Sequence, residues 1–323
     1  MHNGEPRPNW RKGEFMNIID LVKSKYYLKS INKKLLINFE RNTIRTPRTV
    51  LKNMSNKELL YLFLNFKTIG DEFKEFIPGL PPDEMQRNWT GTSGKATLLD
   101  ALRFFQLLSD CSVKYGERIN ETTKILDFGC GWGRIIRYFM RDVSHNNLYG
   151  ADCFKEVLDV AKAQNKWVSF SLTTPMPPTD YNSSMFDIIY LFSVFSHLSE
   201  DIHLKFLEDF HRILKPGGLL VATTRPRKFI LLCADVRKRK IAVQEQGAAA
   251  AFVNTKQYLD LYDRGGFCYS PTGGGGPLEP SFYGESCIPE KYVRIHWSKW
   301  FDIQEYRLAD RLCNQNVICS KKK

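Results

Sequence analysis

Three glycines at alternate positions follow a short apolar segment that contains an acid. The segment is 125–128, its acid is Asp127, and the glycines are Gly129, Gly131 and Gly133. This pattern indicates a buried strand, a tight turn and the start of a helix, which together place a nucleotide-like ligand at the carboxyl end of a parallel strand. Glycines suit such a turn because they adopt positive φ at little cost and let the backbone approach a ligand.

The spacing of the glycines separates two classes of nucleotide site. A dinucleotide-binding turn of the form G-x-G-x-x-G needs a glycine at position 134, where this chain has Arg134. The spacing therefore disfavours a dehydrogenase. A second acid, Asp152, ends the next apolar segment 23 residues after Gly129.

Predicted strands and helices alternate around these acids. We expect the first strand to be followed by strands at 147–152, 167–170, 186–192 and 219–224, and the alternation implies a parallel sheet with right-handed crossovers. Ser199 is expected to cap a helix that ends before the 214–218 segment. Regular structure is predicted to return at 292–297, and segments 301–306 and 315–319 are expected to be the final two strands, paired as a hairpin.

Four motifs occur in a consistent order along the chain: 126–133, 150–152, 186–189 with 193–198, and 214–218. In this order and with these intervals, they resemble the class I S-adenosylmethionine-dependent methyltransferases. The resemblance implies an α/β fold with a Rossmann-like sheet of seven strands, the last pair a hairpin. It also implies a domain division, which we predict as a basic helical N-terminal extension at 1–84, a methyltransferase domain at 85–323, and a lid insertion after strand five at 225–285.

The resemblance also assigns roles at the cofactor, S-adenosylmethionine. Asp127 is expected to orient the ammonium group or its waters, Asp152 to accept both ribose hydroxyls, and Phe154 to contact the adenine ring. Residues of a polar loop predicted at 88–94 are expected to close over the methionine end, although an ordinary loop before a packing helix explains the same pattern. The predicted cofactor-binding residues are Thr90, Gly91, Asp127, Gly129, Cys130, Gly131, Gly133, Asp152, Cys153, Phe154 and Ser193.

The chain departs from many relatives after the third strand, where an acid often accepts the adenine amino group. The corresponding place in this chain is 171–175, which contains no acid. A backbone carbonyl or the hydroxyl of Ser171 or Thr173 is the predicted substitute.

The predicted catalytic residues are His197, Glu285 and Tyr283. His197 follows the fourth strand at the carboxyl edge and is the first candidate for a general base; the alternative is that it holds the turn between strand and helix. His296 is a weaker candidate. The remaining histidines at 145, 203 and 211 are predicted to be surface residues, and no metal site is expected because no histidine lies at a ligand spacing from an acid or cysteine.

Charge is concentrated near the start of the chain. The net charge is +12, and residues 1–52 hold 12 Lys or Arg against 4 Asp or Glu, so the remainder is nearly neutral. This distribution disfavours a nucleic-acid surface over the whole body. The predicted basic amphipathic helix around 15–29 is interpreted as packing on the core; the alternative is peripheral contact with an anionic membrane.

The predicted partner is a small-molecule or glycan-type acceptor, methylated at oxygen or nitrogen. The lid segment and the nearly neutral body favour it. The alternatives are an RNA or protein methyltransferase that uses the basic arm, and a non-catalytic protein that binds the cofactor. Eight cysteines without a C-x-x-C pair, and no apolar run of transmembrane or signal type, predict reduced thiols and a cytoplasmic location. The sequence does not predict an oligomeric state.

Overall fold

The computed structural model describes residues 25–116, 118–239 and 246–323. Most of the predicted basic amphipathic helix around 15–29 lies outside these residues. The first described helix, α1, spans Lys25–Arg41. Its buried face carries Ile31 and Leu35, which are fully inaccessible to solvent and join the main core.

A sheet of seven strands organises the molecule, in the order β3-β2-β1-β4-β5-β9-β8. The first five strands are parallel, and β9 is antiparallel to both β5 and β8. The predicted α/β fold, with seven strands and a terminal antiparallel pair, is therefore confirmed. The strands are β1 (Ile125–Phe128), β2 (Leu148–Asp152), β3 (Ser169–Leu172), β4 (Phe186–Leu191), β5 (Leu214–Thr224), β8 (Phe301–Arg307) and β9 (Asn316–Lys322).

Alternating side chains of the central strands enter two cores on opposite faces of the sheet. Ile125 and Ile188 pack with the helices that precede the sheet, whereas Leu126 and Ile189 pack on the other face. Burial on both faces explains why β1 and β4 are nearly continuous runs of apolar residues. At the start of β5, the 214–218 segment belongs to the strand, and the register shifts opposite β4 between Phe186 and Ile188.

Helices that precede β1 in the chain cover one face of the sheet. The Ser-x-x-Glu pattern at 55–58 predicts a capping box, and Ser55 and Glu58 form it at the start of α3. The Ser55 N–H donates to the Glu58 carboxylate, and the Glu58 N–H donates to the Ser55 hydroxyl. The helices in this layer are α2 (Pro47–Val50), α3 (Asn56–Leu64), α4 (Asp71–Lys74), α5 (Asp83–Thr90) and α6 (Gly94–Tyr115).

One local prediction is wrong. Residues 88–90, predicted in a loop, form the end of α5, which stops at Gly91 in the left-handed conformation. The helix expected after the glycine turn is present, and it is a 3₁₀ helix, Ile136–Arg141. Its side chains are almost all buried, so packing of this segment, and not helix propensity, decides its geometry.

On the other face of the sheet lie α8 (Glu200–Ile213) and α12 (Glu290–His296), while α7 (Lys155–Gln164) connects β2 with β3. The chain between β5 and α12 forms a small unit with its own apolar cluster, built around Phe229, Phe252 and Cys268. Its described elements are α9 (Arg227–Arg237), α10 (Gln246–Ala250), α11 (Thr255–Arg264), β6 (Cys268–Ser270) and β7 (Glu285–Cys287), with β6 and β7 antiparallel. Within the described parts of the chain, no helix has the length and apolar character needed to cross a bilayer.

Candidate functional site

A cavity of about 230 Å³ opens at the carboxyl ends of β1, β2 and β4. This edge is where parallel α/β sheets bind their ligands. Wall residues come from the turn after β1, the segments after β2, β3 and β4, the end of α5, and the loop between β6 and β7. Several of these elements are distant in sequence, so the fold is required to bring the site together.

The glycine turn after β1 forms the floor of the cavity. The N–H groups of Gly129 and Cys130 both donate to the Ala151 carbonyl, at 2.8 and 3.0 Å, which ties the turn to β2. All three glycines have positive φ. A Cβ on Gly129 would lie 2.4 Å from Val194, whereas a Cβ on Gly131 would meet no atom within 4 Å. Gly131 therefore leaves space for a ligand directly above its backbone.

Asp152 is held beside this turn at the end of β2. Its Oδ2 accepts a hydrogen bond from the Gly131 N–H at 2.9 Å, and its Oδ1 accepts one from the Phe154 N–H at 3.1 Å. Burial raises the pKa of the Asp152 carboxyl, and the two backbone donors oppose that rise. Each carboxylate oxygen keeps acceptor capacity after these bonds, so the fixed carboxylate can bind two neighbouring hydroxyls.

The residues after β2 and β3 form one wall. Cys153, Phe154 and Thr173 line the cavity, and the Phe154 ring makes an edge contact with Trp89, with 5.1 Å between ring centroids. The Ser171 hydroxyl lies 2.6 Å from the Tyr181 hydroxyl and is already engaged there. Of the two hydroxyls considered for adenine recognition, Thr173 is the one on the cavity.

Asp127 lies beneath the turn and does not line the cavity. It is only 2% exposed, and its Oδ2 has no hydrogen-bond partner among the described residues. Burial raises the pKa of Asp127 to about 7, while the Tyr190 hydroxyl and the Arg134 guanidinium beside it favour the ionised form. A carboxyl of this kind can be ionised or neutral near neutral pH, and a cation placed beside it would favour ionisation.

Arg134 lines the cavity but was not predicted as a site residue. From the sequence it was considered only as the residue that takes the place of a glycine in the dinucleotide-binding pattern. Its guanidinium lies over the Phe192 ring, 4.7 Å from the centroid, and both residues line the cavity. Its position directly after the glycine pattern was the available signal. An Arg at this wall can bind a carboxylate of a ligand.

The turn after β4 brings Ser193 and His197 to the opposite wall. Ser193 adopts a positive φ of 65°, and its N–H donates to the Thr223 hydroxyl at 2.8 Å. The His197 ring stacks on Tyr283 with 5.1 Å between centroids and 5° between planes, and both rings line the cavity. Burial lowers the pKa of His197, which favours the neutral imidazole.

Glu285 lies behind His197, and the cavity lining does not include it. Its Oε1 is 3.7 Å from His197 Nδ1, and its Oε2 is 3.2 Å from Arg225 Nε. The structure therefore brings all three predicted catalytic residues together, with His197 and Tyr283 on the cavity and Glu285 one layer further back. His296, the weaker candidate, is exposed on α12 and stacks on Tyr292.

The structure also locates His203 and the residues of the predicted 88–94 loop. Trp89 and Thr90 line the cavity from the end of α5, but Gly91 is the C-cap of that helix and is not part of the lining. His203, predicted at the surface, is fully buried and accepts a hydrogen bond from the Trp297 indole N–H at 2.9 Å. The helical face that carries His203 also carries Phe206 and Phe210, and this spacing was the signal that the histidine faces the core.

The described parts of the chain contain no cluster of three or more His, Cys, Asp or Glu side chains suited to a metal ion. All eight cysteines are free thiols. The polar side chains that line the cavity are those of Asp152, Arg134, Thr173, Ser193 and His197, among others, and apolar and aromatic side chains make up the rest of its walls.

Comparison with known proteins agrees with this geometry. Residues 126–222 match a family described as a methyltransferase domain. A probable methyltransferase of Aspergillus luteorubrus is 32% identical over 113 residues, which cover 32% of this chain and 40% of that protein. A tRNA N(3)-methylcytidine methyltransferase of Schizosaccharomyces pombe is 32% identical over 179 residues, 51% of this chain and 56% of that protein. The chain thus spans roughly half the length of these curated relatives, or less.

Among solved structures, a protein from Pyrococcus horikoshii aligns with a TM-score of 0.48 and 15% identity, over 75% of this chain and 100% of that one. The matched family segment begins in β1 and ends in β5, so it includes the glycine turn, Asp152 and the turn that carries His197. This match over residues 126–222 supports membership in the class I S-adenosylmethionine-dependent methyltransferase superfamily.

Proposed function

We propose that the protein transfers a methyl group from S-adenosylmethionine to an oxygen or nitrogen atom of a small-molecule or glycan-type acceptor. The observation that carries this proposal is the single cavity that contains both Asp152 and the stacked pair of His197 and Tyr283. One wall suits a ribose, and the other offers a neutral imidazole. Both walls line the same cavity of about 230 Å³.

The residues present fit the cofactor. Asp152 offers a fixed carboxylate to the ribose diol, Phe154 and Thr173 flank the place for adenine, and Gly131 leaves backbone room above the turn. The carboxyl of Asp127, buried beneath the glycine turn, suits an ammonium group held through an intervening water, and Arg134 on the cavity wall suits a carboxylate. Each charged group of the methionine moiety thus has a group of opposite charge near it.

When bound, S-adenosylmethionine supplies an electrophilic methyl group whose bonding electron pair departs with sulfur. The chain holds the acceptor in line and, for a hydroxyl or protonated amine, takes up its proton. His197 is the proposed proton acceptor, and Tyr283 is proposed to hold its ring by stacking. Leu198, Phe206 and Leu278 contribute apolar wall that excludes water from the cavity.

The proposed acceptor pocket lies between the end of α5 and the 272–284 loop of the lid segment. Trp89 from the former and Leu278 and Tyr283 from the latter face the same cavity. Together with the nearly neutral charge of residues 53–323, this enclosure supports a compact acceptor over an extended polymer. The eight free thiols support a cytoplasmic location.

A second candidate function is methylation of RNA. It is favoured by one observation, the similarity to the tRNA N(3)-methylcytidine methyltransferase of Schizosaccharomyces pombe. The basic residues of the first 52 positions would supply the electrostatic contact with phosphates. We rank it second because the basic charge lies outside the segment matched to the family.

Methyl transfer to fractionated cell extracts tests the proposal. The full chain is incubated with methyl-labelled S-adenosylmethionine and, separately, with small-molecule, RNA and protein fractions. We expect label in the small-molecule fraction. The His197→Gln variant should transfer methyl groups at least tenfold more slowly. A general base typically contributes roughly 10²–10⁴ to the rate, and water acting as the base in the variant would make the observed loss smaller. Label in the RNA or protein fraction alone would overturn the acceptor class, and no transfer to any fraction, with the cofactor bound, would indicate a non-catalytic protein.

A further inference from the structure

We propose that the Arg225–Glu285 ion pair positions His197 and balances the charge on its imidazole, whose tautomer, set by the Gly284 carbonyl, carries hydrogen on Nδ1 and leaves Nε2 to accept a proton. The inference deepens the proposed function and rests on it, because it assigns a supporting pair to the proposed proton acceptor. Arg225 directly follows β5 and Glu285 begins β7, and neither residue lines the cavity. Both would therefore act through His197 and not by touching the ligand.

The tautomer follows from a single contact. His197 Nδ1 lies 2.8 Å from the Gly284 carbonyl oxygen. A carbonyl can only accept a hydrogen bond, so Nδ1 carries the hydrogen and, in the neutral ring, Nε2 has a free lone pair. Since His197 lines the cavity, Nε2 is the ring nitrogen that remains for a molecule bound there.

The backbone around this contact is fixed from both sides. The Gly284 N–H donates to the His197 carbonyl at 2.7 Å, and the Ser286 N–H donates to the Ser196 carbonyl at 2.7 Å. On its other side, Gly284 lies against the end of β6. A Cβ on Gly284 would be 2.1 Å from the Ser270 carbonyl oxygen, so only glycine fits at this position. The accepting carbonyl therefore has a defined position relative to the imidazole.

The ion pair sits directly behind this arrangement. Arg225 Nε and Glu285 Oε2 are 3.2 Å apart, with 22% and 11% of the two side chains exposed. The Arg225 guanidinium also lies over the Phe229 ring, 4.2 Å from its centroid, which restricts its orientation. Glu285 Oε1 remains 3.7 Å from His197 Nδ1, close enough to stabilise a positive charge on the ring without bonding to it directly.

The two members of the pair act on the imidazole in opposite directions. Burial lowers the pKa of His197, the Glu285 carboxylate raises it, and the Arg225 guanidinium lowers it. The other titratable groups that face the ring are the stacked Tyr283 and, across the cavity, Asp152, Cys153 and Arg134. Without Arg225, the carboxylate would favour an imidazolium before the reaction; without Glu285, a newly formed imidazolium would lack a counter-ion.

The step assigned to His197 is a proton transfer. The O–H or N–H bond of the acceptor breaks, the proton moves to Nε2, and the electron pair stays on the acceptor atom for its new bond to carbon. The imidazole becomes an imidazolium with hydrogen on both nitrogens. Its Nδ1–H remains bonded to the Gly284 carbonyl, with Glu285 beside it as the counter-charge.

Nitrogen NMR of the full chain tests this inference without knowledge of the acceptor. Protein labelled with ¹⁵N in its histidine rings is titrated with acid, and the His197 signals are assigned by their loss in His197→Gln. We expect the neutral ring to carry its hydrogen on Nδ1. Glu285→Gln should lower the pKa of His197 and Arg225→Met should raise it, each by about one unit, within the range for a charge at this separation.

Arg227→Gln is the matched control, because Arg227 lies two residues along the same segment and pairs with Asp263 at the surface. It should leave the His197 titration unchanged. A neutral ring with hydrogen on Nε2 would overturn the inference, and the NMR spectrum of the wild-type chain alone is enough to detect it. Shifts of the same sign in Glu285→Gln and Arg225→Met would overturn it as well. Failure of the proposed function would appear separately, as absent methyl transfer from a chain with the expected tautomer.

Discussion

At the residue scale, Asp127 shows how a site carboxyl can oppose stability. It is buried beneath the glycine turn, one of its oxygens has no hydrogen-bond partner in the described part of the chain, and burial raises its pKa from 3.8 to about 7. The folded state therefore holds this proton more tightly than the unfolded state does. The resulting loss of stability is absent below about pH 4, grows as the pH rises towards 7, and is constant above it.

Asp127→Asn should accordingly stabilise the protein above pH 7 and make little difference near pH 4. We expect a gain on the order of 1–4 kcal/mol in the free energy of unfolding at pH 8, because a rise of one pKa unit corresponds to about 1.4 kcal/mol. Urea unfolding at several pH values measures it. The control is Asp159→Asn, an exposed acid on α7 whose change should stay within about 0.5 kcal/mol at both pH values.

A lower stability of Asp127→Asn at pH 8 would contradict this account, since it would mean that the ionised carboxylate is well compensated in the folded chain. The same variant should bind S-adenosylhomocysteine more weakly, because a neutral amide gives up the attraction to the ammonium group. Gain of stability with loss of affinity is the pattern expected of a site residue.

Several site residues could be predicted from the sequence because their positions follow from the order of strands. Asp152 and the glycine turn end predicted parallel strands, and such ends meet at one edge of a sheet. Arg134 and the burial of His203 were missed, because each depends on which way a side chain points within a helix or turn. Glu285 lies behind His197 because β7 pairs with β6. These two short strands have no clear pattern in the sequence, so the position of Glu285 could not be predicted in detail.

At the element scale, the loop between β6 and β7 lies against Phe154, on the wall of the cavity that we propose to hold adenine. A Cβ on Gly276 would lie 3.0 Å from the Phe154 ring, whereas a Cβ on Gly275 would meet no atom within 4 Å. Both glycines have positive φ, at 54° and 76°, so alanine would be strained at either position. Comparing alanine at the two positions therefore separates the effect of backbone strain, which both variants share, from the effect of contact with Phe154, which only Gly276→Ala has.

Gly276→Ala should weaken binding of S-adenosylhomocysteine about fivefold more than Gly275→Ala, which corresponds to about 1 kcal/mol. The reason is that the added methyl group displaces the Phe154 ring from the wall of the cavity. Calorimetric titration of both variants measures the difference. Hydrogen exchange across 272–284 should also slow when the ligand is added to the wild-type chain. Equal affinities of the two variants would show that this loop does not support the adenine wall.

Elements with a strong sequence pattern were predicted, and those decided by packing were not. The capping box at Ser55 and the apolar strand β4 follow from local patterns. The 3₁₀ helix Ile136–Arg141 and the extension of α5 to Thr90 depend on neighbouring layers. Element ends are also where local propensity is weakest and tertiary contacts decide the conformation.

At the scale of the whole molecule, the sheet draws its site from three parts of the chain. The helical layer before β1 supplies Trp89, the matched family segment supplies the glycine turn and Asp152, and the unit after β5 supplies Tyr283. Buried residues of α1, Ile31 and Leu35, join the same apolar cluster as Ile125 of β1. The division into an extension at 1–84, a domain at 85–323 and a lid at 225–285 stays our proposal.

The central claim, that this cavity takes S-adenosylmethionine through Asp152, is tested most directly by calorimetric titration of the full chain. Saturable binding of S-adenosylhomocysteine at one site per chain is expected, with no binding of NAD. Asp152→Ala should weaken that binding by about tenfold or more, since hydrogen bonds to a charged group contribute roughly 1.5–3 kcal/mol; Asp159→Ala, an exposed acid on the adjacent helix, should not change it. Binding of NAD alone, or unchanged affinity in Asp152→Ala, would contradict the account.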